Sequence, residues 1–468
     1  MNKIKILVIN IALRPGFARK ILPIGMGYIT AAIRRAGFEF DMLDLDAHPR
    51  SQEQTEKFLR MNQYDVVAMG CIVTGYKYVK WLSLIIKEAF PDTTVIVGNT
   101  VAQSIPNILL SKTGADVAVM GEGDEAIVDL LHRLESSRDM EGIAGICYKK
   151  DGHIVANPPR PLIEDIDLIP MPDWTSFDLE IYIKSLSESV GDPLPPIPKE
   201  KIRAKPINTA RGCPFNCTFC YHVFRGEKYR WRSAESIVQE MQRDHDTYGI
   251  NYFVFADELT FFSLKQAEHF ANSIIASGLQ VYWAADVRSG LFTNEEHIQI
   301  AIKLKKAGCL YLGYALESAN PDILKWMDKK VGPEAFSRQV DILRRGGITS
   351  FTSIVLGYPN ETEKTITETI DCCIANKIYP SSGYLLPQPG SPMYDFAVKS
   401  GHIIDEEDYL LAMGDRQDLR VNMTSMTDEV FTAIVERELG RCSRELGINL
   451  PEGALLKTGS YRTSKAKS

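Results

Sequence analysis

Along the first 145 or so residues, short apolar runs alternate with longer stretches whose apolar positions recur every three or four residues. The short runs predict buried strands at 4–10, 39–45, 66–70, 94–98, 117–120 and 143–148, and the longer stretches predict helices at 25–36, 76–89, 104–111 and 125–134. Apolar strands separated by helices imply an α/β, Rossmann-like, doubly wound parallel sheet, with ligands beyond the carboxyl ends of its strands. Three loops fall at those ends: Gly70-Cys71-Ile72-Val73-Thr74-Gly75, Gly98-Asn99-Thr100 and Gly121-Glu122-Gly123. Their small residues let a large planar or phosphate-bearing ligand approach the backbone. From 151 to 205 the pattern loosens, and prolines from Pro158 to Pro198 mark a linker without long regular elements. The alternation resumes with predicted strands at 206–209, 252–256, 281–285, 309–315, 349–356 and 382–386, interleaved with amphipathic runs such as 234–248 and 264–277. The expected division is 1–150, a linker 151–205, a second domain 206–395 and a helical extension 396–468 whose last ten residues, 459–468, read as disordered.

Composition narrows the class. At 468 residues the chain exceeds one ordinary core, so two or three domains are expected, and 45% hydrophobic with 24% charged residues is a soluble globular balance. A net charge of -7 leaves no electrostatic footprint for nucleic acid or an anionic membrane. No apolar run is long enough for a membrane span. The start, residues 1–10, reads as a buried first strand rather than a signal peptide, because its apolar part is short and Arg14-Pro15-Gly16 follows. Nine cysteines, an odd number scattered over a long chain, argue for a reducing cytoplasm and against a disulfide framework.

The most informative stretch is Arg211-Gly212-Cys213-Pro214-Phe215-Asn216-Cys217-Thr218-Phe219-Cys220-Tyr221, with three cysteines at Cys-x3-Cys-x2-Cys spacing. Gly212, Pro214 and Asn216 bend the backbone between them, so the run reads as a loop wrapped around a metal centre. A cluster of four irons normally takes four thiolates, and no fourth cysteine lies nearby, so one iron stays open to another ligand. A structural zinc site with His222 as fourth ligand is the alternative.

This motif resembles that of the radical S-adenosylmethionine (SAM) superfamily. The resemblance implies that Cys213, Cys217 and Cys220 hold a 4Fe-4S cluster whose open iron is chelated by SAM, which reductive cleavage converts to a 5'-deoxyadenosyl radical. It also implies a partial (β/α)6 TIM barrel for the six strand-helix units, with chemistry at the carboxyl ends of the strands. Phe219 fits the family habit of placing a ring near the adenine. Asp257 or Glu258, after the second strand, matches the acceptor for the SAM amino group, helix capping being the other reading. Arg288 suits the carboxylate, with a surface ion pair as its alternative, and Glu317-Ser318 falls where a carboxylate meets the ribose hydroxyls. Gly357-Tyr358-Pro359-Asn360-Glu361-Thr362 resembles the family's Gly-x-Pro-x-Glu-Thr turn, and Pro387 opens a closing turn whose backbone can meet the adenine edge.

The first domain resembles the cobalamin (B12)-binding domain found in front of many radical SAM enzymes, through Leu22-Pro23-Ile24-Gly25-Met26-Gly27-Tyr28, Val97-Gly98 and Met120-Gly121-Glu122-Gly123-Asp124. Cys71, Thr74, Gly98, Asn99, Gly121, Glu122 and Gly123 are then the candidate cobalamin contacts. The chain departs from the family at Asn99, where a second glycine is common, and lacks the ligand motif Asp-x-His-x-x-Gly; His48 reads as a surface histidine. The fold alone leaves open a degenerate domain that only shapes the substrate site. Together these resemblances imply cobalamin-dependent methylation of an unactivated carbon on a small-molecule or natural-product substrate, with electrons from a flavodoxin- or ferredoxin-type donor. The alternatives are a radical reaction without methyl transfer and a non-catalytic cobalamin or iron-sulfur sensor. The other cysteines, Cys147, Cys309, Cys372 and Cys373, read as apolar fillers.

Overall fold

The structure, a computed structural model, describes residues 3–14, 19–414 and 418–456; the tail predicted to be disordered lies outside them. The first domain contains strands β1 Ile6–Asn10, β2 Asp41–Asp44, β3 Val66–Gly70, β4 Thr94–Gly98, β5 Val117–Val119, β6 Ile146–Lys150 and β7 His153–Ala156. Its helices are α1 Ile24–Arg35, α2 Gln52–Met61, α3 Tyr76–Ala89, α4 Thr100–Ser104, α5 Pro106–Lys112 and α6 Gly123–Ser136. The sheet order is β2-β1-β3-β4-β5-β6-β7, parallel through β5 and antiparallel at β6 and β7. Because side chains alternate along a strand, Val8, Ala68 and Ile96 face one core, shared with Ile127 and Leu130 of α6, while Ile9, Met69 and Val97 face the other, shared with Val79 and Leu82 of α3.

Helices α2 and α4 and strand β7 were missing from the sequence expectation. Helix α2 is started by a capping box in which the Ser51 hydroxyl accepts from the Gln54 N–H and the Gln54 side chain returns to the Ser51 N–H. The β6–β7 hairpin turns through Asp151 and Gly152, both at positive φ, the Asp-Gly signature of a tight hairpin. Consequently the first sheet continues past residue 150, and the expected boundary cuts a hairpin.

The connector is also more ordered than its prolines suggested. It holds α7 Leu179–Ser189, whose Tyr182 hydroxyl joins Asp44 (2.8 Å) and Asn10 (2.9 Å) of the first domain in a buried network. Trp174 packs so closely on α1 that a Cβ at Gly27 would lie 2.6 Å from its ring. Leu186, Val190, Ile197 and Ile202 pack against Ala204, Tyr252, Ala284 and Leu310, so the connector stoppers the barrel on the side of the strand beginnings.

The second domain has strands β8 Ala204–Ile207, β9 Ala210–Arg211, β10 Arg230–Trp231, β11 Tyr252–Phe255, β12 Tyr282–Asp286, β13 Cys309–Gly313, β14 Thr349–Phe351, β15 Ser353–Leu356 and β16 Ser381–Tyr384. Helices α8 Ala234–Tyr248, α9 Leu264–Ser277, α10 His297–Lys306, α11 Pro321–Trp326, α12 Pro333–Arg345 and α13 Glu363–Ala375 intervene. The parallel order β14-β13-β12-β11-β8, continued by β15-β16, gives the six-unit open barrel. The expected fifth strand, 349–356, is broken at Thr352, whose hydroxyl accepts the Leu316 N–H (2.9 Å) in place of a ladder bond.

Three further helices, α14 Pro392–Lys399, α15 Glu406–Ala412 and α16 Asp428–Glu445, follow among the described residues. Glu407 of α15 takes Lys80 (2.5 Å) and Tyr76 (2.9 Å) of α3, and Tyr409 donates to the Pro387 carbonyl (2.7 Å), so the extension ties the two domains together. Phe431 of α16 is fully buried against the Tyr384 ring, 5.5 Å between centroids. Replacing it by alanine (Phe431→Ala) is expected to lower stability by about 3–5 kcal/mol, measured as a shift of the urea unfolding midpoint.

Candidate active site at the domain junction

The cluster loop leaves the barrel directly after β8 and β9. Arg225 holds it by donating to the carbonyls of Cys217 (2.8 Å), Cys220 (3.0 Å) and Asn216 (3.1 Å). Thr218 pins its far side, its N–H to the Met327 carbonyl (3.1 Å) and its hydroxyl to the Trp326 carbonyl (2.8 Å) and the Tyr358 hydroxyl. Burial pushes the Cys220 thiol up to about 12, helped by Cys217 and Cys213, and raises Cys213 as well, so iron must displace protons that the bare pocket retains.

The donor set fits a cluster. Zinc holds its sulfurs about 2.3 Å away around one point. Thiolates of a cluster each take a different iron and need no such convergence. His222, the fourth ligand of the zinc alternative, is buried with Nδ1 unpartnered, and burial followed by Arg225 lowers its pKa to about 4.

Arg288 Nη2 and Glu317 Oε2 are, with His222 Nδ1 and two nitrogens of Arg230, among the buried polar atoms that lack partners within the described residues. Arg288 lies over the Phe215 ring at 3.4 Å, near enough to Cys213 to oppose the rise of its pKa, and its Nη2 is buried and unbonded. Glu317 is 5% exposed with Oε2 unbonded, although Oε1 lies 3.4 Å from Lys329 Nζ. Its φ of 62° is costly for a residue with a side chain, and such strain concentrates at ligand sites. An unbonded guanidinium nitrogen and carboxylate oxygen on either side of the cysteines suit the carboxylate and ribose hydroxyls of SAM.

The other expected SAM contacts are placed as follows. Glu258 opens into the cleft, accepts the Gly212 N–H at 3.4 Å, and is raised in pKa by desolvation. Asp257 instead accepts from Thr209 N–H (2.7 Å), Ala210 N–H (3.0 Å) and the Thr209 hydroxyl (2.6 Å), which commits it to bracing the end of β8. Ser318 is buried against Thr369 (3.2 Å) and accepts the Asn320 N–H, a helix-entry role. Gly357 (φ 109°) makes the turn closed by Glu361, whose carboxylate accepts its N–H at 3.1 Å. Pro387 presents its carbonyl to Tyr409, and Phe219 packs beside the second apolar core.

Facing the loop is an open cleft of about 480 Å³, within the ~300–1,000 Å³ range of small-molecule sites. Its lining includes Cys71, Gly98, Asn99, Gly121, Glu122 and Gly123 from the first domain and Ala210, Arg211, Phe224 and Glu258 from the second. At Gly25, Gly70, Gly98 and Gly121, all in that lining, a Cβ would meet nothing within 4 Å, so bare backbone floors the cleft as a flat macrocycle requires. Asn99 adopts φ 70° and caps α4 through Thr100 N–H, filling the position of the family's second glycine.

Three expectations for the cobalamin side change. Thr74 sits in the turn Val73–Gly75 and is absent from the cleft lining. Glu122 turns its carboxylate away from a ligand and into the second domain, where Arg211 (2.5 Å) and Arg230 (2.9 Å) hold it. Cys71 is 2% exposed, with its sulfur 2.1 Å from where a Gly75 Cβ would stand, so it fills space at the cleft floor. His48, as expected, is on the surface, 3.7 Å from Asp178. Arg211, Arg225 and Arg230 were not singled out in advance; their signal was density of arginine around the motif, Arg211 to Arg232, whose partners are remote in sequence.

Fold and site together define a corrinoid-type doubly wound domain placed over the cluster loop of an open barrel. Residues 207–373 match the family model of the radical SAM superfamily, and residues 17–131 match that of the B12 binding domain. The chain thus contains a radical SAM superfamily domain, with a B12-binding domain in front of it. An uncharacterized methyltransferase of Pyrococcus horikoshii is 27% identical over 389 residues, 82% of this chain and 80% of that one. The anaerobic magnesium-protoporphyrin IX monomethyl ester cyclase of Rubrivivax gelatinosus is 28% identical over 356 residues, 74% of this chain and 61% of that one. The radical SAM methyltransferase TsrM of Kitasatospora setae, solved with cobalamin and a [4Fe-4S] cluster, shares the fold with a TM-score of 0.67 at 19% identity, covering 86% of this chain and 79% of that one. Among the described residues no helix is long and apolar enough to cross a membrane.

Burial alone pushes the Cys71 thiol up to about 12, so at pH 8 it stays protonated. Iodoacetamide at that pH is expected to leave Cys71 unmodified in folded protein and to alkylate it in urea, as peptide mass spectrometry reads out.

Proposed function

We propose that the protein is a cobalamin-dependent radical SAM methyltransferase acting on an unactivated carbon of a small-molecule or natural-product substrate. The observation that carries this reading is one continuous cleft, floored by bare glycine backbone of the first domain and walled by Ala210, Arg211, Phe224 and Glu258 beside the cysteine loop. When bound, the cluster, SAM and corrin would supply reductive carbon-sulfur cleavage and a methyl carrier. The protein contributes grip and orientation. Cys213, Cys217 and Cys220 hold three irons and leave the fourth for SAM. Arg288, braced on Phe215, takes the SAM carboxylate; Glu258 takes the amino group, and the unbonded Glu317 oxygen takes the ribose hydroxyls. Phe219, partly buried beside the second apolar core, is the ring left for the adenine, while the Gly357 N–H and the Pro387 carbonyl are engaged with Glu361 and Tyr409 and brace the surrounding turns. Because the sequence has no second cluster motif, a flavodoxin- or ferredoxin-type protein delivers the electron.

A second reading, a radical reaction without methyl transfer, draws support from the similarity to a cyclase. Anaerobic reconstitution with iron, sulfide, SAM, a reductant and cobalamin separates the two. Methylation predicts both S-adenosylhomocysteine and 5'-deoxyadenosine, the second reading predicts 5'-deoxyadenosine alone, and a sensor gives neither. Cys217→Ala should abolish both products and lower the iron content. Arg288→Met should weaken SAM binding by about 10–100-fold, the worth of a charge-assisted hydrogen bond, in equilibrium dialysis at unchanged iron content.

A further inference from the structure

We propose that Glu122 and Asp124, on the first domain, are positioning residues for the cluster loop, and that their turn links occupancy of the cleft to the state of the cluster. The second half of this statement rests on the corrinoid reading; the first half does not.

The loop carrying the three cysteines begins after Arg211 and returns at Arg230, and its neck is a two-residue antiparallel ladder, Arg211 opposite Arg230 and Ala210 opposite Trp231. So short a ladder specifies little by itself. Both neck arginines reach across the domain boundary to Glu122, and Arg211 reaches Asp124 as well. Arg211 places Nη1 at 2.5 Å from Glu122 and at 2.9 Å from Asp124, with Nη2 at 3.0 Å from Asp124. Arg230 Nη1 lies 3.0 and 2.9 Å from the two Glu122 oxygens and 2.6 Å from the Ile163 carbonyl. Glu122 also accepts the Ile163 N–H at 2.7 Å. The Tyr28 and Phe224 rings back the two guanidinium groups at 5.4 and 5.2 Å.

This quartet carries two negative and two positive charges, and Glu122 and Arg230 are about 5% and 4% exposed. Removing one member leaves a buried charge without its partner, so the remaining groups must shift. The turn that supplies the carboxylates is the same one that floors the cleft. Gly121 (φ 75°) has open cleft where a Cβ would stand, whereas at Gly123 a Cβ would lie 2.9 Å from Ile29, which fixes the start of α6. Gly121, Glu122, Gly123 and Asp124 all line the cleft. A ligand pressing on this backbone therefore moves the two carboxylates that grip the neck, and binding linkage of this kind is reciprocal.

The test uses full-length Glu122→Gln and Asp124→Asn, reconstituted anaerobically beside the parent protein. The expected result is near-parent iron content, because the three cysteines remain, with an altered EPR spectrum of the reduced cluster and a shifted midpoint potential; Arg211→Lys, which keeps the charge, should lie between. Aquacobalamin titrated by absorbance should bind the cluster-loaded parent with an affinity at least about fivefold different from the cluster-free protein, and Glu122→Gln should bring that ratio towards one. A spectrum and potential identical to the parent's in both variants would overturn the positioning role. A parent ratio of one would overturn the linkage. Should Glu122→Gln lose its native circular dichroism, Asp124→Asn, which leaves the Glu122–Arg230 pair intact, decides the first claim. Failure to retain any cobalamin would defeat the corrinoid reading and the linkage together, while the EPR comparison on the cluster alone still decides the positioning role.

Discussion

The junction of the two domains depends on a neutral, largely buried quartet, Glu122 and Asp124 against Arg211 and Arg230. Buried ion pairs contribute little net stability once desolvation is counted, but they are unforgiving about geometry. Here that geometry joins the turn after β5 to both strands of the cluster-loop neck. The cleft and the cysteines are therefore held in one frame, although they come from separate sheets. Tyr182 with Asp44 and Asn10, Trp174 against Gly27, and Glu407 with Lys80 and Tyr76 repeat the tie at three other places along the boundary.

Within that frame the barrel keeps a few polar atoms in reserve. An unsatisfied buried hydrogen-bonding atom costs about 1–3 kcal/mol, and Arg288 and Glu317 each carry one while Glu317 also bears backbone strain. Ser318, next to Glu317 in sequence, and Asp257, next to Glu258, are instead engaged with their own loops. The contrast separates side chains that build the site from those open to a ligand. It also accounts for Glu122, which belongs to the first group though its motif suggested the second.

Much of the architecture was legible from side-chain periodicity. Strands such as 66–70 and 94–98 agree with the observed elements residue for residue, since a strand buried on both faces must be apolar throughout. Helix α2 was passed over although its capping box stands in the sequence, and the β6–β7 hairpin although Asp151-Gly152 announces it. The broken fifth strand was not legible, because Thr352 leaves the ladder only by meeting Leu316 from a different strand end.

By itself the sequence determined the order of elements, the cysteine loop and the glycine-rich strand ends, because these depend on local spacing and on whether a side chain is apolar or absent. Only the tertiary structure decided which charged residue meets which. Arg211 and Glu122 are far apart in the chain, and whether a carboxylate is spent on an arginine, on a backbone N–H or left open to a ligand depends on partners brought within about 3 Å by the packing of two domains. Hydrophobic patterning carries no information about such pairings, so Glu122, Asp257 and Glu317 looked alike until the fold gave each its neighbours.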